Sequence, residues 1–491
     1  MREKIKAGLF WVFFAQAWGQ ILQTATALIL AAILLPVDFG VFALAGIIIS
    51  WIGLFKSLGF DAALVYERGD NKEVVNTAFW ILQISGFGLW LVAIILAGPA
   101  AVFFAEPRIK YIIMVVGVSF PLTSLRLVHG ALLQKELEIK KNNWPAIISG
   151  LVGAIATIGS AFAGLRYWSL VIGGLLGGIA SVIAYWRVCS FRPHWPVKWK
   201  EAGRLWHFGS IAAVNNILIF MNQIIDNAFV GKLLGSGQLG FYDFAYRMGN
   251  APCTRVTMPI YQIVYPAFIK ATEQGSEKLR TIYLNTIRYL SYLVLPLAAV
   301  IVVIGPFFFN LLYGSKWDPS MQTMRVLVIY GLIAALAGPV GTLFYALGRP
   351  QNLLYIDASK MITVVSLAYF AAKWGGILCI AILFTSASLL FSMIAVLWGN
   401  RLIKISNASY LNVFHKPFIS SSVVGATVWV WLRSNGGATG WWGWFKLIFA
   451  LLFFIFSYVG LLLLLDSDAR QIWGKLKKGF NKKMLAELIN G

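Results

Sequence analysis

Seven basic residues, Lys56, Arg126, Arg247, Arg255, Arg288, Arg325 and Lys360, and four acids, Asp61, Asp226, Asp243 and Asp357, interrupt stretches that are otherwise apolar. A charge at the centre of a hydrocarbon layer costs about 2.5–3.5 kcal/mol on insertion scales, so groups this numerous cannot mostly face lipid. They are expected to line a wet interior. The excess of cations gives that interior a positive sign, which suits an anionic ligand; an exporter of lipophilic cations is expected to present carboxylates instead.

Arg126 and Arg255 stand out, because each lies deep in its stretch with no acid three or four residues away. Arg255 is flanked by Cys253, Thr254 and Thr257 and preceded by Gly249 and Pro252, a context that predicts a kink. Lys56, Arg247, Lys360 and Arg288 complete the expected cationic set. Local pairing competes for part of it. Asp243 and Arg247 are four apart and Asp357 and Lys360 three apart, so each pair can neutralise itself on one helical face. Arg288, Arg325 and Asp61 fall near the ends of their stretches and can reach headgroups. Asp226, in Asn222-Gln-Ile-Ile-Asp-Asn227, can titrate or take a small cation and so couple transport to a proton or sodium gradient, with Asp61 as a second candidate. The competing role for Asp226 is that of structural partner to a basic residue on a neighbouring helix.

These residues need long apolar elements to hold them. The chain has 491 residues, 59% hydrophobic and 12% charged, with a mean hydropathy of +0.76. That is too little polar surface for a water-soluble particle. Apolar stretches of about 20 residues, enough to cross ~30 Å as helices, run at roughly 8–35, 41–64, 76–98, 111–133, 144–164 and 168–186. A second set follows at 207–230, 239–269, 281–304, 320–347, 353–372 and 376–398, and a last pair at 417–432 and 442–465. The expected fold is an all-α integral membrane protein of about 14 transmembrane helices, two pseudo-symmetric six-helix lobes plus two extra C-terminal helices. The first stretch follows Met1-Arg-Glu-Lys-Ile-Lys6 and is much longer than the ~7–15 residues of a cleavable signal, so it is expected to remain as the first span.

Basic residues distribute unequally over alternate connections. Of the 41 Lys and Arg, only Arg108, Lys110, Arg166, Lys232, Lys316, Lys373 and Arg433 fall in the connections of one side, which favours both termini in the cytoplasm. The net charge of +22 therefore records topology; no basic stretch sits in a polar domain able to hold nucleic acid. The connection from Arg187 to Arg204 separates the two sets of six. The expected organisation is an N-terminal lobe at 1–190, a cytoplasmic linker at 191–206, a C-terminal lobe at 207–400, helices 13 and 14 at 401–465, and a basic cytoplasmic tail at 466–491 near anionic lipid.

The turn after the first span of each set carries an echo at an offset of 200: Gly40 corresponds to Gly240, Phe39 to Leu239, Phe42 to Tyr242 and Ala45 to Ala245. Duplication of a multi-helix unit is the plan of a carrier that holds its substrate between two halves. Nothing in the sequence supplies a P-loop or a Gly-x-Ser-x-Gly elbow, so neither ATP chemistry nor acyl transfer is expected. Cys189, Cys253 and Cys379 and His129, His194, His207 and His415 have no metal-ligand spacing and read as packing or interfacial residues.

Several segments together resemble the polysaccharide transporter family: Leu133-Gln-Lys-Glu-Leu-Glu138, the turn from Leu233 to Tyr246, Tyr265-Pro-Ala-Phe268, Tyr313-Gly-Ser-Lys-Trp317 and Leu347-Gly-Arg-Pro350. That family holds the Wzx-type O-antigen, colanic acid and exopolysaccharide flippases of the multidrug/oligosaccharidyl-lipid/polysaccharide superfamily. The resemblance implies a multi-pass protein of the bacterial inner membrane. It further implies that the substrate is an undecaprenyl-pyrophosphate-linked oligosaccharide turned from the inner to the outer leaflet, with no enzymatic step and no cofactor. Membrane lipids, a polysaccharide polymerase and a chain-length regulator are the partners it suggests. Trp51, Trp80, Tyr242 and Tyr246 can stack on sugar rings or serve as membrane-belt and packing residues. The alternatives are a lipid II flippase, a cation/drug antiporter and a non-transporting component of a glycan assembly complex.

Overall fold

The computed structural model describes residues 2–56, 72–136, 138–194, 202–434 and 440–477. Helix dominates throughout. By contacts the chain divides into two compact units, Met1–Asp243 and Phe244–Gly491.

The first unit holds α1 (Arg2–Ile33), α2 (Pro36–Gly53), α3 (Lys72–Phe103), α4 (Arg108–Val116), α5 (Ser119–Lys135), α6 (Ile139–Phe162), α7 (Trp168–Val188) and the first part of α8 (Ala202–Gln274). Local chemistry sets several of these ends. Pro36 occupies the first turn of α2, where its missing N–H is not needed, and the Asp38 carboxylate accepts the Leu35 amide at 3.0 Å. Gly164 and Arg166 turn the chain between α6 and α7 with positive φ of 81° and 48°. Helix α8 is broken by Gly235, whose φ of 82° only glycine adopts without strain.

Helices α6 and α7 form the most intimate pair of the unit, with α6 also packed on α1. Small residues permit this. The Ser149 hydroxyl of α6 donates to the Gly177 carbonyl of α7 at 2.8 Å, while Thr157 turns its hydroxyl back to the Gly153 carbonyl of its own helix at 2.7 Å. In a membrane, where burial from water supplies no drive between helices, such close approach carries the association. A β-carbon on Gly173 would run into the Thr157 hydroxyl and lie 2.8 Å from the Gly153 carbonyl, whereas one on Gly174 meets nothing within 4 Å. Gly173→Leu is therefore expected to destabilise the protein by roughly 1–3 kcal/mol or more, as overpacking does. Gly174→Leu is expected to be tolerated. Melting of the two detergent-solubilised variants checks this.

The second unit holds the rest of α8, α9 (Ser276–Tyr313), a 3-10 turn (Gly314–Trp317), α10 (Asp318–Ala346), α11 (Pro350–Leu402), α12 (Asn407–Ser434), α13 (Trp441–Leu465) and α14 (Ser467–Lys477). Gly375 and Gly376 interrupt α11, the latter with φ of 59°. One core joins Phe268 and Ala271 of α8 to Tyr283 and Ile287 of α9, Leu343 and Phe344 of α10, Ala395 of α11 and Tyr410 of α12. A second joins Ile304 of α9 to Val424 and Val428 of α12 and to Ala450, Phe454 and Tyr458 of α13. The final helix pair is thus built into this unit through α9.

Among the described residues, eight segments are long and apolar enough to cross a membrane. One runs over 71 residues from Ser276 to Ala346 and another over 53 from Pro350 to Leu402, each far longer than the ~20 residues of a single crossing and each broken by glycine. Large apolar side chains stand on the surface along these segments, among them Val102, Phe162, Trp374, Trp441 and Phe456. Such a surface suits lipid and not water.

Candidate functional site

Arg126 lies half-buried on α5, where it meets the Tyr185 hydroxyl of α7. That hydroxyl also reaches the Asn142 carbonyl at 3.0 Å and its side-chain oxygen at 3.2 Å. Three helices therefore fix one guanidinium. Nearby, His129 is fully buried among Phe79, Trp186 and Phe191, a packing position and not a ligand position. The chain after α7 is strapped down beside it: Asn76 donates to the His194 carbonyl and accepts its amide, both at 2.9 Å.

Asp226 is buried in α8, just before the Gly235 break, and Tyr242, just after it, donates its hydroxyl to the Asp226 carboxylate at 3.1 Å. The Asn227 amide donates to the other oxygen at 2.8 Å. Asp243 is buried as well, close enough for the two carboxylates to feel one another. The turn thus folds two acids into one corner, near enough for each to feel the other's charge. Among the described residues no group of three His, Cys, Asp or Glu is placed to hold a metal ion.

In the second unit, Arg247 and Arg255 fall two turns apart on α8, near enough for their charges to interact. Arg255 is exposed, with apolar Val256 and Met258 exposed beside it. Pro252 lies inside α8 with helical backbone around it, and the non-helical backbone of this helix is at Gly235. Lys360 is half-buried on α11 within electrostatic reach of Asp357. Lys56 is exposed just beyond α2. Asp61 lies outside the described residues.

Arg288 takes a different place. It pairs with Asp468 at the start of α14. Asp466 beside it accepts the Tyr292 hydroxyl at 2.7 Å, Lys416 at 3.4 Å and the Asp468 amide at 3.1 Å. Burial alone would raise this carboxyl, but the hydrogen bonds and Lys416 outweigh it and hold it below its ordinary range. The anchor therefore contributes stability above that range and is lost only as the pH falls through the depressed value. Nothing in the local spacing pointed to this cluster, because the carboxylates and the Lys416, Tyr292 and Arg288 side chains that meet them lie 50 or more residues apart in the chain.

A further set of polar residues gathers at the turns of the first unit. Asp38 pairs with Arg166 at 3.3 Å, and Glu106 with Arg108 at 2.7 Å. Ser236 donates to Glu106 at 2.9 Å, and Lys232 donates to the Phe103 carbonyl while sitting over its ring at 4.3 Å. The hydrogen bond from Arg108 holds the Glu106 carboxyl below its ordinary range in spite of burial, so this contact persists at neutral pH.

The sequence and the fold both have relatives. A family described as "Polysaccharide biosynthesis protein" matches residues 29–322. The chain is 23% identical over 440 residues to the lipopolysaccharide biosynthesis protein WzxC of Escherichia coli (strain K12), covering 88% of this chain and 85% of that protein. It is 22% identical over 371 residues to the teichuronic acid biosynthesis protein TuaB of Bacillus subtilis (strain 168), covering 75% and 76%. In fold it is similar to an inward closed conformation of the lipid II flippase MurJ, with a TM-score of 0.72, 13% identity and coverage of 94% of this chain and 99% of that one. An inward-facing multidrug transporter of the MATE family aligns with a TM-score of 0.64 and 15% identity, over 78% of this chain and 94% of its own. With more than half of its length matched, the chain belongs to the polysaccharide biosynthesis protein family.

Proposed function

We propose that the protein is a flippase that turns an undecaprenyl-pyrophosphate-linked oligosaccharide across the bacterial inner membrane for surface polysaccharide synthesis. The observation that carries this reading is the Arg247 and Arg255 pair, two cations held on one apolar helix in a chain of this family. A pyrophosphate headgroup, with any acidic sugars, offsets that charge, and guanidinium groups suit phosphate oxygens. Arg126, Lys360 and Lys56 extend the basic surface, and Arg288 serves chiefly to hold α14. Asp226, with Asp243 beside it, is the site at which a proton or sodium gradient drives the cycle.

The architecture that serves this role is fourteen spans, two six-helix lobes at 1–190 and 207–400, and a last pair at 401–465, with both termini cytoplasmic. The asymmetry of basic residues supports that orientation. It puts the turns around Asp38, Glu106, Arg166 and Ser236 on the outer face. The headgroup enters from the inner leaflet and leaves to the outer one by alternating access, while the lipid tail stays in the bilayer.

Deleting the gene tests the reading. The expected result is a complete lipid-linked oligosaccharide that accumulates on the cytoplasmic leaflet with loss of the surface glycan, both reversed by the gene in trans. Accumulation of lipid II instead, or an unchanged leaflet distribution, would reject it.

A further inference from the structure

The two copies of the repeated turn touch each other, and they do so reciprocally. A β-carbon on Gly40 would run into the Ser236 carbonyl and lie 2.9 Å from the Gly240 amide; one on Gly240 would run into the Pro36 carbonyl and lie 3.2 Å from the Gly40 amide. Pro36 and Ser236, like Gly40 and Gly240, are 200 residues apart, so each copy presents the same position to the other. Beside them, a β-carbon on Gly237 would sit 3.6 Å from a Val37 methyl, again its equivalent. Residue i of one copy meets residue j of the second, and j meets i, which is the signature of a local two-fold contact. Two bare backbones cross where no side chain fits.

The bonds around this crossing are sorted by strength. The Asp38–Arg166 ion pair ties the start of α2 to the turn between α6 and α7, and the Glu106–Arg108 pair closes the turn between α3 and α4 on itself. The segment of α8 around the Gly235 break is joined to those turns more lightly, by the Ser236 hydroxyl on Glu106, by Lys232 on the Phe103 carbonyl, and by the glycine crossing itself. The ion pairs thus lie among those turns, while the three links to α8 just given are neutral at one end or purely steric. Such contacts form closely and release without separating an ion pair.

We propose that the Gly40/Gly240 crossing is a releasable latch, closed here and parted when the carrier opens toward the outer side. The inference rests on the flippase reading for its direction of opening. The residues that repeat between the halves are then kept small because they must meet each other, and a side chain on either glycine has the same consequence.

The test uses the full-length protein in native membranes, with Cys189, Cys253 and Cys379 replaced by alanine. The variant carries Val37→Cys and Gly237→Cys, and a protease site between residues 195 and 201 lets a disulfide between positions 37 and 237 be read on a gel. Oxidation is expected to link the two fragments and to stop glycan export by the same protein, with reductant restoring it. Failure of the link to form, or export at an equal rate in the oxidised and reduced states, overturns the latch. As a second arm, Gly40→Leu and Gly240→Leu, each combined with Val37→Cys alone, are expected to increase labelling by an externally added impermeant maleimide to similar extents. Unchanged labelling in both overturns it independently of transport. If instead the link forms and closes the outer face but no lipid-linked glycan depends on the protein, the flippase reading falls and the latch stands.

Discussion

Replacing Arg255 with glutamate is expected to abolish glycan export while the protein still inserts and accumulates in the membrane. Arg255 is exposed in an apolar helix, where a charge facing lipid is expensive, and it feels the positive charge of Arg247 two turns away. A site that holds two cations together is one that an anion stabilises. A charge-assisted hydrogen bond to such a ligand contributes about 1.5–3 kcal/mol, and a carboxylate in its place adds repulsion and neutralises Arg247 as well. At about 1.4 kcal/mol per factor of ten, export should fall by on the order of a hundredfold or more. Arg255→Lys keeps the charge but not the two-pronged donor geometry, so a loss nearer tenfold is expected. Surface glycan measured against protein level in the membrane decides it. Normal glycan with Arg255→Glu at normal abundance would remove Arg255 from the binding site.

The breaks in the helices could be read from sequence because their causes are local. Glycine at Gly235, at Gly314 and at Gly376 takes positive φ in the structure; the first two fall between stretches already separated on hydropathy alone, and Gly376 opens the stretch at 376–398. At Gly249 and Pro252 the helical dihedrals of α8 continue, because proline removes one donor without ending a helix in a membrane. Long-range pairing was beyond reach. Arg288 was left between a cavity and the headgroups, and its partner, Asp468, is 180 residues away in a tail that gave no sign of docking. Asp466 gave no sign either, since a carboxylate just after a span is common and its role depends on Tyr292 and Lys416 arriving from other helices. The echo between Gly40 and Gly240 showed that a turn is repeated. That the two copies meet is a property of the folded chain, because duplication does not require equivalent residues to touch.

Asp226→Asn is expected to leave a folded protein whose export no longer responds to the ion gradient. Asparagine keeps the volume of the side chain, its one oxygen can still accept the Asn227 amide, and its NH2 can donate to the Tyr242 hydroxyl in place of the bond that the second carboxylate oxygen accepts. It cannot release a proton or balance the charge of a sodium ion. With Asp243 buried close by, the wild-type corner gains from taking up a cation, and the variant loses most of that gain because one negative charge is gone. Export by energised vesicles carrying Asp226→Asn should therefore fall to the rate of de-energised wild-type vesicles. Binding gives a readout free of transport. If sodium is the coupling ion, a concentration of a hundred times its dissociation constant stabilises the wild-type protein by about 2.7 kcal/mol, and the resulting rise in melting temperature should be absent from the variant. If the proton couples, that sodium response is missing from both proteins and the difference appears as a pH dependence of wild-type export that the variant lacks. Gradient-driven export that survives unchanged in Asp226→Asn would exclude Asp226 as the coupling residue and leave it as a tie between the two segments of α8.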